Sequence, residues 1–161
     1  MDLHYLIQQP KSIQEQNPIL ILLHGYGSNE KDLFSFATEL PQDHYVISVR
    51  APYDLQPYGH AWYAIDFDAD DNNFSVNIQA KASVKLIADF INEIIQQYPI
   101  DTNNISLVGF SQGAILSYAV ALTFPEKIAK VVALSGYFNQ DILPEVIDTQ
   151  AISHLKFFVS H

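Results

Sequence analysis

A serine in the stretch LVGFSQGAIL, residues 107–116, is the side chain of this chain best placed to act as a nucleophile. Ser111 follows an apolar run typical of a strand, and helix-forming residues come after it. Gly109 and Gly113 lie two residues to either side and bring no Cβ to crowd a sharp turn. Enzymes that transfer acyl groups hold their serine on such a strand-to-helix turn, with the hydroxyl exposed above the sheet. We therefore predict that Ser111 is a nucleophile with a positive φ; an ordinary tight turn with an incidental serine is the alternative.

A second glycine-containing stretch, LLHGYGSNEKDL at residues 22–33, supplies what a hydrolytic serine also needs. The tetrahedral intermediate of acyl transfer carries an oxyanion, which two N–H donors must hold. One donor is the backbone N–H of the residue after the nucleophile, Gln112. The other comes from a loop after an earlier strand, and the Gly25-Tyr26-Gly27 turn predicts the N–H of Tyr26. The N-terminus of the helix after Ser111 also favours negative charge there.

The elements around these residues alternate between strands and helices, which predicts one α/β domain over residues 1–161, with a mainly parallel sheet and helices on both faces. Glycine, proline and capping residues mark the ends of the elements. Asn29 is the predicted N-cap of the first helix, with Leu33, Phe34 and Phe36 facing inward. The predicted strands cover 3–7, 19–25, 44–49, 104–110, 129–136 and 155–160, and the longer predicted helices cover 78–98 and 112–124. The aromatic stretch between residues 50 and 63 is predicted to be an irregular loop.

Composition excludes several classes of function. The chain has 161 residues, is 48% hydrophobic and 16% charged, and has a net charge of -10. An acidic surface argues against nucleic acid as a partner. The absence of cysteine excludes thiolate catalysis and cysteine-zinc sites. No signal peptide is expected at the N-terminus, and the longest aliphatic run is too short for membrane insertion, so we expect a cytoplasmic protein.

Four motifs, LHGYGSNEKDL, AWYAIDF, GFSQGA and VVALSGY, occur in an order and spacing that resemble the phospholipase/carboxylesterase family of α/β-hydrolases. That family includes bacterial carboxylesterases and acyl-protein thioesterases. The resemblance implies hydrolysis of small-molecule esters or thioesters through an acyl-enzyme, without a metal or an organic cofactor. It assigns the nucleophile to Ser111 and the oxyanion donors to Tyr26 and Gln112. It also implies that Trp62 lies near the acyl pocket.

The C-terminal end departs from the family pattern. The resemblance implies that a triad acid and then a histidine follow the nucleophile, and His161 matches the residue before the acid's loop. We therefore expect the domain to be C-terminally incomplete, lacking a strand and a helix, and its activity to be very low. His154 is expected at the opposite edge of the sheet, and His24 is expected to support the oxyanion loop. The alternative function is a non-catalytic acyl-binding or interaction module with the same fold.

Two further groups of residues have competing interpretations. Asp66, Asp68 and Asp70 are spaced like the start of a calcium loop, but Asp71 and Asn77 replace its glycine and its bidentate glutamate, which favours a solvated loop. Aromatic residues cluster in the same region and either line an acyl pocket or pack the loop. That cluster consists of Tyr53, Tyr58, Trp62, Tyr63 and Phe67.

Overall fold

A computed structural model describes residues 2–65 and 73–161, the side chains of 73–75 excepted. Eight strands lie in these residues: β1 (Tyr5–Gln8), β2 (Asn17–Leu23), β3 (Tyr45–Val49), β4 (Tyr53–Asp54), β5 (His60–Ala61), β6 (Ile100–Phe110), β7 (Lys130–Leu134) and β8 (Lys156–Ser160). Six of them form the main sheet, in the order β1-β3-β2-β6-β7-β8. β1 pairs with β3 in antiparallel fashion, and every other pair of the main sheet is parallel. This confirms the predicted fold class and all six predicted strands.

Two long helices cover one face of the sheet. They are α2 (Asn73–Gln97), which ends just before Pro99, and α3 (Gln112–Thr123). Alternate residues of β2 (Ile19, Ile21 and Leu23) point to this face and form the main core with both helices. α3 is buried along nearly its whole length, which explains why its sequence is apolar all round. None of the helices in the described part of the chain is both long and apolar enough to cross a membrane.

The opposite face carries a smaller apolar layer. Leu20 and Leu22 of β2 pack there against α1 (Lys31–Phe34) and a short 3-10 helix (Ala37–Glu39). Both short helices lie between β2 and β3 in the chain, and they cover this face of the sheet. The sheet therefore has helices on both sides, as predicted.

The details of the first helix differ in part from the prediction. Leu33 and Phe34 are partly buried, as expected, whereas Phe36 is 58% exposed. α1 has only four residues before the chain tightens into the 3-10 helix, so the α-helical spacing does not extend to Phe36. The helix begins one residue later than predicted, with Glu30 at the N-cap, although the Asn29 side chain still accepts from the Lys31 N–H at 2.9 Å.

The stretch between β3 and α2 was predicted to be wholly irregular, and that prediction is wrong. A small antiparallel hairpin lies within it, formed by β4 and β5. His60 also bridges to Ser28, which joins the hairpin to the loop after β2. This short pairing places the residues after β5 beside the beginning of α3. The acidic positions Asp66, Asp68 and Asp70 lie outside the described residues.

Candidate active site

Ser111 occupies a strained turn between β6 and α3. Its φ is 52° and its ψ is -113°, a conformation that residues other than glycine rarely adopt. The positive φ predicted from the sequence is therefore confirmed. The Ser111 N–H donates to the carbonyl of Leu134 at 2.8 Å, which ties the turn to the end of β7. Such a conformation typically costs about 1–3 kcal/mol and persists only where the surrounding structure imposes it.

The glycines around Ser111 allow the backbone to pack more closely than side chains would permit. A Cβ on Gly113 would lie 2.0 Å from the carbonyl oxygen of Leu23, so the first turn of α3 rests directly on the end of β2. A Cβ on Gly25 would lie 3.4 Å from the Ser111 Cβ. The loop after β2 therefore passes so close to the serine turn that one added methyl group would bring the two into contact.

That loop forms a tight turn from Gly25 to Ser28, whose N–H donates to the Gly25 carbonyl at 3.2 Å. Gly27 has a φ of 81°, and its N–H donates to the His60 carbonyl at 2.9 Å. Tyr26 lies at the exposed point of the turn, with 36% of its surface accessible. The structure thus brings together the backbone segments of Tyr26 and Ser111, which are far apart in the sequence.

Gln112 contributes to this arrangement through its side chain as well as its backbone. Its N–H belongs to the first residue of α3 and has no intrahelical partner. Its buried side chain accepts from the N–H of Trp62 and donates to the carbonyl of Tyr63, both at 2.8 Å. The amide therefore joins the serine turn to residues 62 and 63. The sequence analysis did not predict this link. The signal for it was Gln112 itself, a polar residue at the start of a helix that is otherwise apolar.

Trp62 is fully buried and is held from three sides. Its indole N–H donates to the carbonyl of His24 at 2.9 Å, its N–H donates to Gln112, and its carbonyl accepts from the Ser83 hydroxyl. The Trp62 and His24 rings lie 5.7 Å apart. The indole lies behind the loop after β2. Ser111 opens into a cleft, and Trp62 is not among the described residues that line it. The residues that follow Trp62 line that cleft instead.

His24 is buried and serves the loop. The N–H of Ala51 donates to its Nε2 at 3.0 Å, so its proton lies on Nδ1, which donates to the Gly25 carbonyl at 2.8 Å. Burial lowers the pKa of His24 and keeps the ring neutral. Both ring nitrogens are thus used to position the chain around the loop after β2, as expected for a supporting residue.

An ion pair that sequence reasoning missed stabilises the far end of the same loop. The Glu30 carboxylate, 2% exposed, accepts from Arg50 Nε at 2.9 Å and from Nη2 at 2.7 Å. These hydrogen bonds are the main reason that the pKa of Glu30 falls to about 2. The acid directly follows the loop and the arginine directly follows β3, so the pair joins the ends of two neighbouring strands. An acid at the start of a helix was too common a signal to indicate this.

Ser111 opens into a cleft of about 380 Å³. Residues 63–65, the start of α2, the first turns of α3 and the segment after β7 surround it. Among the predicted aromatic cluster, Tyr63 lines the cleft, whereas Tyr53 and Tyr58 are exposed elsewhere and Phe67 is outside the described residues. The described lining residues are Tyr63, Ala64, Ile65, Val76, Asn77, Ser111, Gln112, Ile115, Tyr137, Asn139 and Asp141.

The described lining of this cleft includes no histidine. His154 lies against the carbonyls of Pro125 and Ile128, before the start of β8 and therefore at the edge opposite Ser111. His161 is exposed directly after β8, at the same edge as Ser111 but beyond β7. The remaining three lie near carboxylates outside the cleft: His4 near Glu30, His44 beside Asp43 and His60 beside Asp54.

Known proteins resemble this chain in sequence. Esterase YpfH of Escherichia coli (strain K12) is 27% identical over 156 residues, which cover 94% of this chain and 64% of the relative. Acyl-protein thioesterase 1 of Kluyveromyces lactis is 41% identical over 78 residues, which cover 48% of this chain and 33% of the relative. The matched part of this chain thus spans less than two thirds of the length of either relative.

Solved structures resemble it in fold. Esterase PE8 superposes with a TM-score of 0.74 at 23% identity, covering 99% of this chain and 73% of that structure. The carboxylesterase of Bacillus cereus gives a TM-score of 0.76 at 22% identity, covering 98% and 69%. The model of one family, described as Phospholipase/Carboxylesterase, matches residues 4–157. Since this match extends over nearly the whole chain, the protein belongs to the phospholipase/carboxylesterase family.

Proposed function

We propose that Ser111 is the nucleophile of a hydrolase that cleaves carboxylic esters or thioesters through an acyl-enzyme. The observation that supports this most directly is the Ser111 backbone, with its φ of 52°, at the junction of β6 and α3 and close to the Gly25 turn. A strained conformation that the fold maintains at a cleft points to function rather than to stability. The relatives named as esterases and a thioesterase agree with this class of substrate.

The chemistry would begin when the Ser111 Oγ attacks the substrate carbonyl carbon and forms a tetrahedral oxyanion. The backbone N–H groups of Tyr26 and Gln112 would hold that oxyanion, since preorganised donors act most strongly where charge develops. Collapse of the intermediate would expel the alcohol or thiol and leave the acyl group on Ser111. Water would then release the carboxylic acid. Trp62 would contribute indirectly, by holding the backbone beside the cleft in place.

We further propose that these 161 residues alone acylate slowly. A serine needs a neighbouring base, and the described lining of the cleft contains no histidine. The oxyanion donors and the binding cleft would still give a residual rate above that in water, as they do in enzymes whose triad has been removed.

Trapping of the acyl-enzyme tests the nucleophile directly. The chain is incubated with p-nitrophenyl acetate, and intact mass followed by peptide mapping locates any acetyl group. We expect acetylation at Ser111, and its loss in Ser111→Ala. Ser135→Ala is a matched control, because Ser135 also follows a strand and has a φ of 55°, yet it is exposed and does not line the cleft.

Two results would contradict the proposal. One is equal release of p-nitrophenol by the chain and by Ser111→Ala, and the other is acetylation spread over lysines and surface serines. If the chain bound esters without acylation of Ser111, a non-catalytic acyl-binding module would be favoured instead.

A further inference from the structure

The cleft beside Ser111 is unusual for one that would hold a fatty acyl chain, because one side of it is polar. The segment after β7 contributes Tyr137, Asn139 and Asp141, and α2 contributes Asn77. An alkyl chain bound there would displace water from a carboxylate and two amides without offering them a hydrogen-bond partner, which is unfavourable. The substrate that fits must therefore offer polar or charged groups to this side.

Asp141 gives the cleft its charge. It is the only charged residue among the described lining side chains, and it is exposed to solvent. Asn139 fixes its backbone by accepting from the Asp141 N–H at 3.2 Å. The Asn77 amide approaches the carboxylate at 3.4 Å, a long contact that does not neutralise it. With a net charge of -10 on the whole chain, the electrostatic potential of the cleft favours cations.

Two tyrosines line the same cleft as this carboxylate. Tyr137 is 62% exposed, and Tyr63 is buried, with both lining the cleft. Burial, and to a smaller extent the neighbouring Tyr137 phenol, raises the pKa of Tyr63, so this phenol stays protonated even above neutral pH. Aromatic rings recognise quaternary ammonium groups, and a carboxylate in the same cleft supplies the opposite charge.

We propose that this cleft recognises an alkylammonium group on the ester or thioester substrate, with Asp141 as its counter-ion and the Tyr137 ring as its aromatic contact. This inference rests on the proposed function, because it takes the cleft beside Ser111 to be the substrate site. It narrows the substrate class from esters in general to esters that carry a cation.

Binding of choline tests the proposal without requiring turnover. Amide chemical shifts of residues 137–141 are followed during titration with choline and with its uncharged isostere, in which a tert-butyl group replaces the trimethylammonium group. We expect choline to bind about 3- to 10-fold more tightly, since exposed cation–π and ion-pair contacts have modest energies. Added salt should weaken choline binding and leave the isostere unaffected.

Substitutions identify the side chains that produce the preference for choline. Asp141→Asn should reduce the preference for choline about 2- to 5-fold while leaving the affinity for the isostere unchanged. Asp148→Asn is a matched control, because Asp148 is also an exposed acid after β7 but does not line the cleft. Equal affinity for choline and the isostere, or a preference that Asp141→Asn leaves unchanged, would overturn the proposal. If a variant fails to fold, the salt series on the unaltered chain still tests the proposal, because choline binding that is insensitive to salt would contradict it.

The position of the cation within the substrate can be found with two esters. Acetylcholine carries the cation on its alcohol portion, and glycine-betaine methyl ester carries it on its acyl portion. The ester that binds more tightly than its own tert-butyl isostere identifies the portion, and if neither does, the proposal is wrong. Choline binding should also persist in Ser111→Ala. A failure of Ser111 to acylate would therefore refute the proposed function alone, whereas a failure of choline to bind would refute this inference alone.

Discussion

Replacement of Glu30 by glutamine should destabilise the fold in a way that depends on pH. Glutamine resembles the protonated carboxyl in shape but cannot form the ion pair with Arg50. The carboxylate is 2% exposed, whereas the Arg50 side chain is 37% exposed, so the pair is only partly screened by solvent. The loop that contains Gly25 and Tyr26 lies directly before Glu30, and we expect its order to depend on this pair.

The size of the effect follows from the pKa of Glu30, which falls from an ordinary value of 4.5 to about 2, chiefly through its hydrogen bonds from Arg50. At about 1.4 kcal/mol for each pH unit, this difference corresponds to about 3 kcal/mol. Because Arg50 is more than a third exposed, we discount the figure to between about 1 and 2 kcal/mol. For a chain of this length, the melting temperature of Glu30→Gln should fall by about 3 to 8 °C.

The sign of the pH dependence is set by the direction of that change. A carboxyl with a lowered pKa in the folded state adds stability above its unfolded pKa of 4.5, and that stability is lost as the pH falls toward about 2. The difference in the free energy of unfolding between the unaltered chain and Glu30→Gln should thus reach its full size at about pH 7. At about pH 3 it should be less than about half as large.

Urea unfolding at both pH values measures this difference, and the fluorescence of the single, buried Trp62 reports it. Glu39→Gln removes an exposed acid on the same side of the sheet and serves as the control. A double-mutant cycle with Arg50→Gln isolates the pairwise energy. An effect of Glu30→Gln below about 0.5 kcal/mol, the size of an ordinary surface substitution, or one of equal size at both pH values, would refute the reasoning.

Three further substitutions test the serine turn, with urea unfolding as the assay. Ser111→Gly should raise the free energy of unfolding by about 1 kcal/mol, because glycine tolerates the positive φ, whereas Ser111→Ala should leave it nearly unchanged; equal values for the two would show that the turn is not strained. Gln112→Leu should lower the free energy of unfolding by about 2–4 kcal/mol, since the substitution leaves the buried N–H of Trp62 and the carbonyl of Tyr63 unpaired. A cost below about 1 kcal/mol would mean that the Gln112 amide is not bonded to these groups in solution. Gly113→Ala should cost about 2–4 kcal/mol through its clash with the Leu23 carbonyl, and more than Gly27→Ala, whose Cβ would meet open space; the reverse order would contradict the close packing.

The sequence predicted those parts of the molecule whose causes are local. Ser111 was identifiable because its strand, its helix and its two glycines are adjacent to it along the chain. Their order predicts a sharp turn with the serine at its tip. Phe36 was mispredicted because helical spacing cannot reveal that α1 ends after one turn. The missed contacts join distant positions. Glu30 meets Arg50 across twenty residues, and Gln112 meets the backbone of Trp62 across fifty, so neither pairing could be found from spacing along the chain.

The bridge made by Gln112 also has a consequence for how the cleft can adapt to ligands of different width. Because its amide is bonded to the backbone of residues 62 and 63, that side of the cleft is tied to the residue next to the nucleophile, and we expect the two to move together. The opposite side, residues 137–141, is attached by side-chain packing, with the Phe138 ring 4.3 Å from the Tyr118 ring of α3 between centroids, by the buried Ile142, and by the long contact from Asn77 to Asp141. We therefore expect the distance from Ser111 to Tyr63 to stay nearly constant from one ligand to the next.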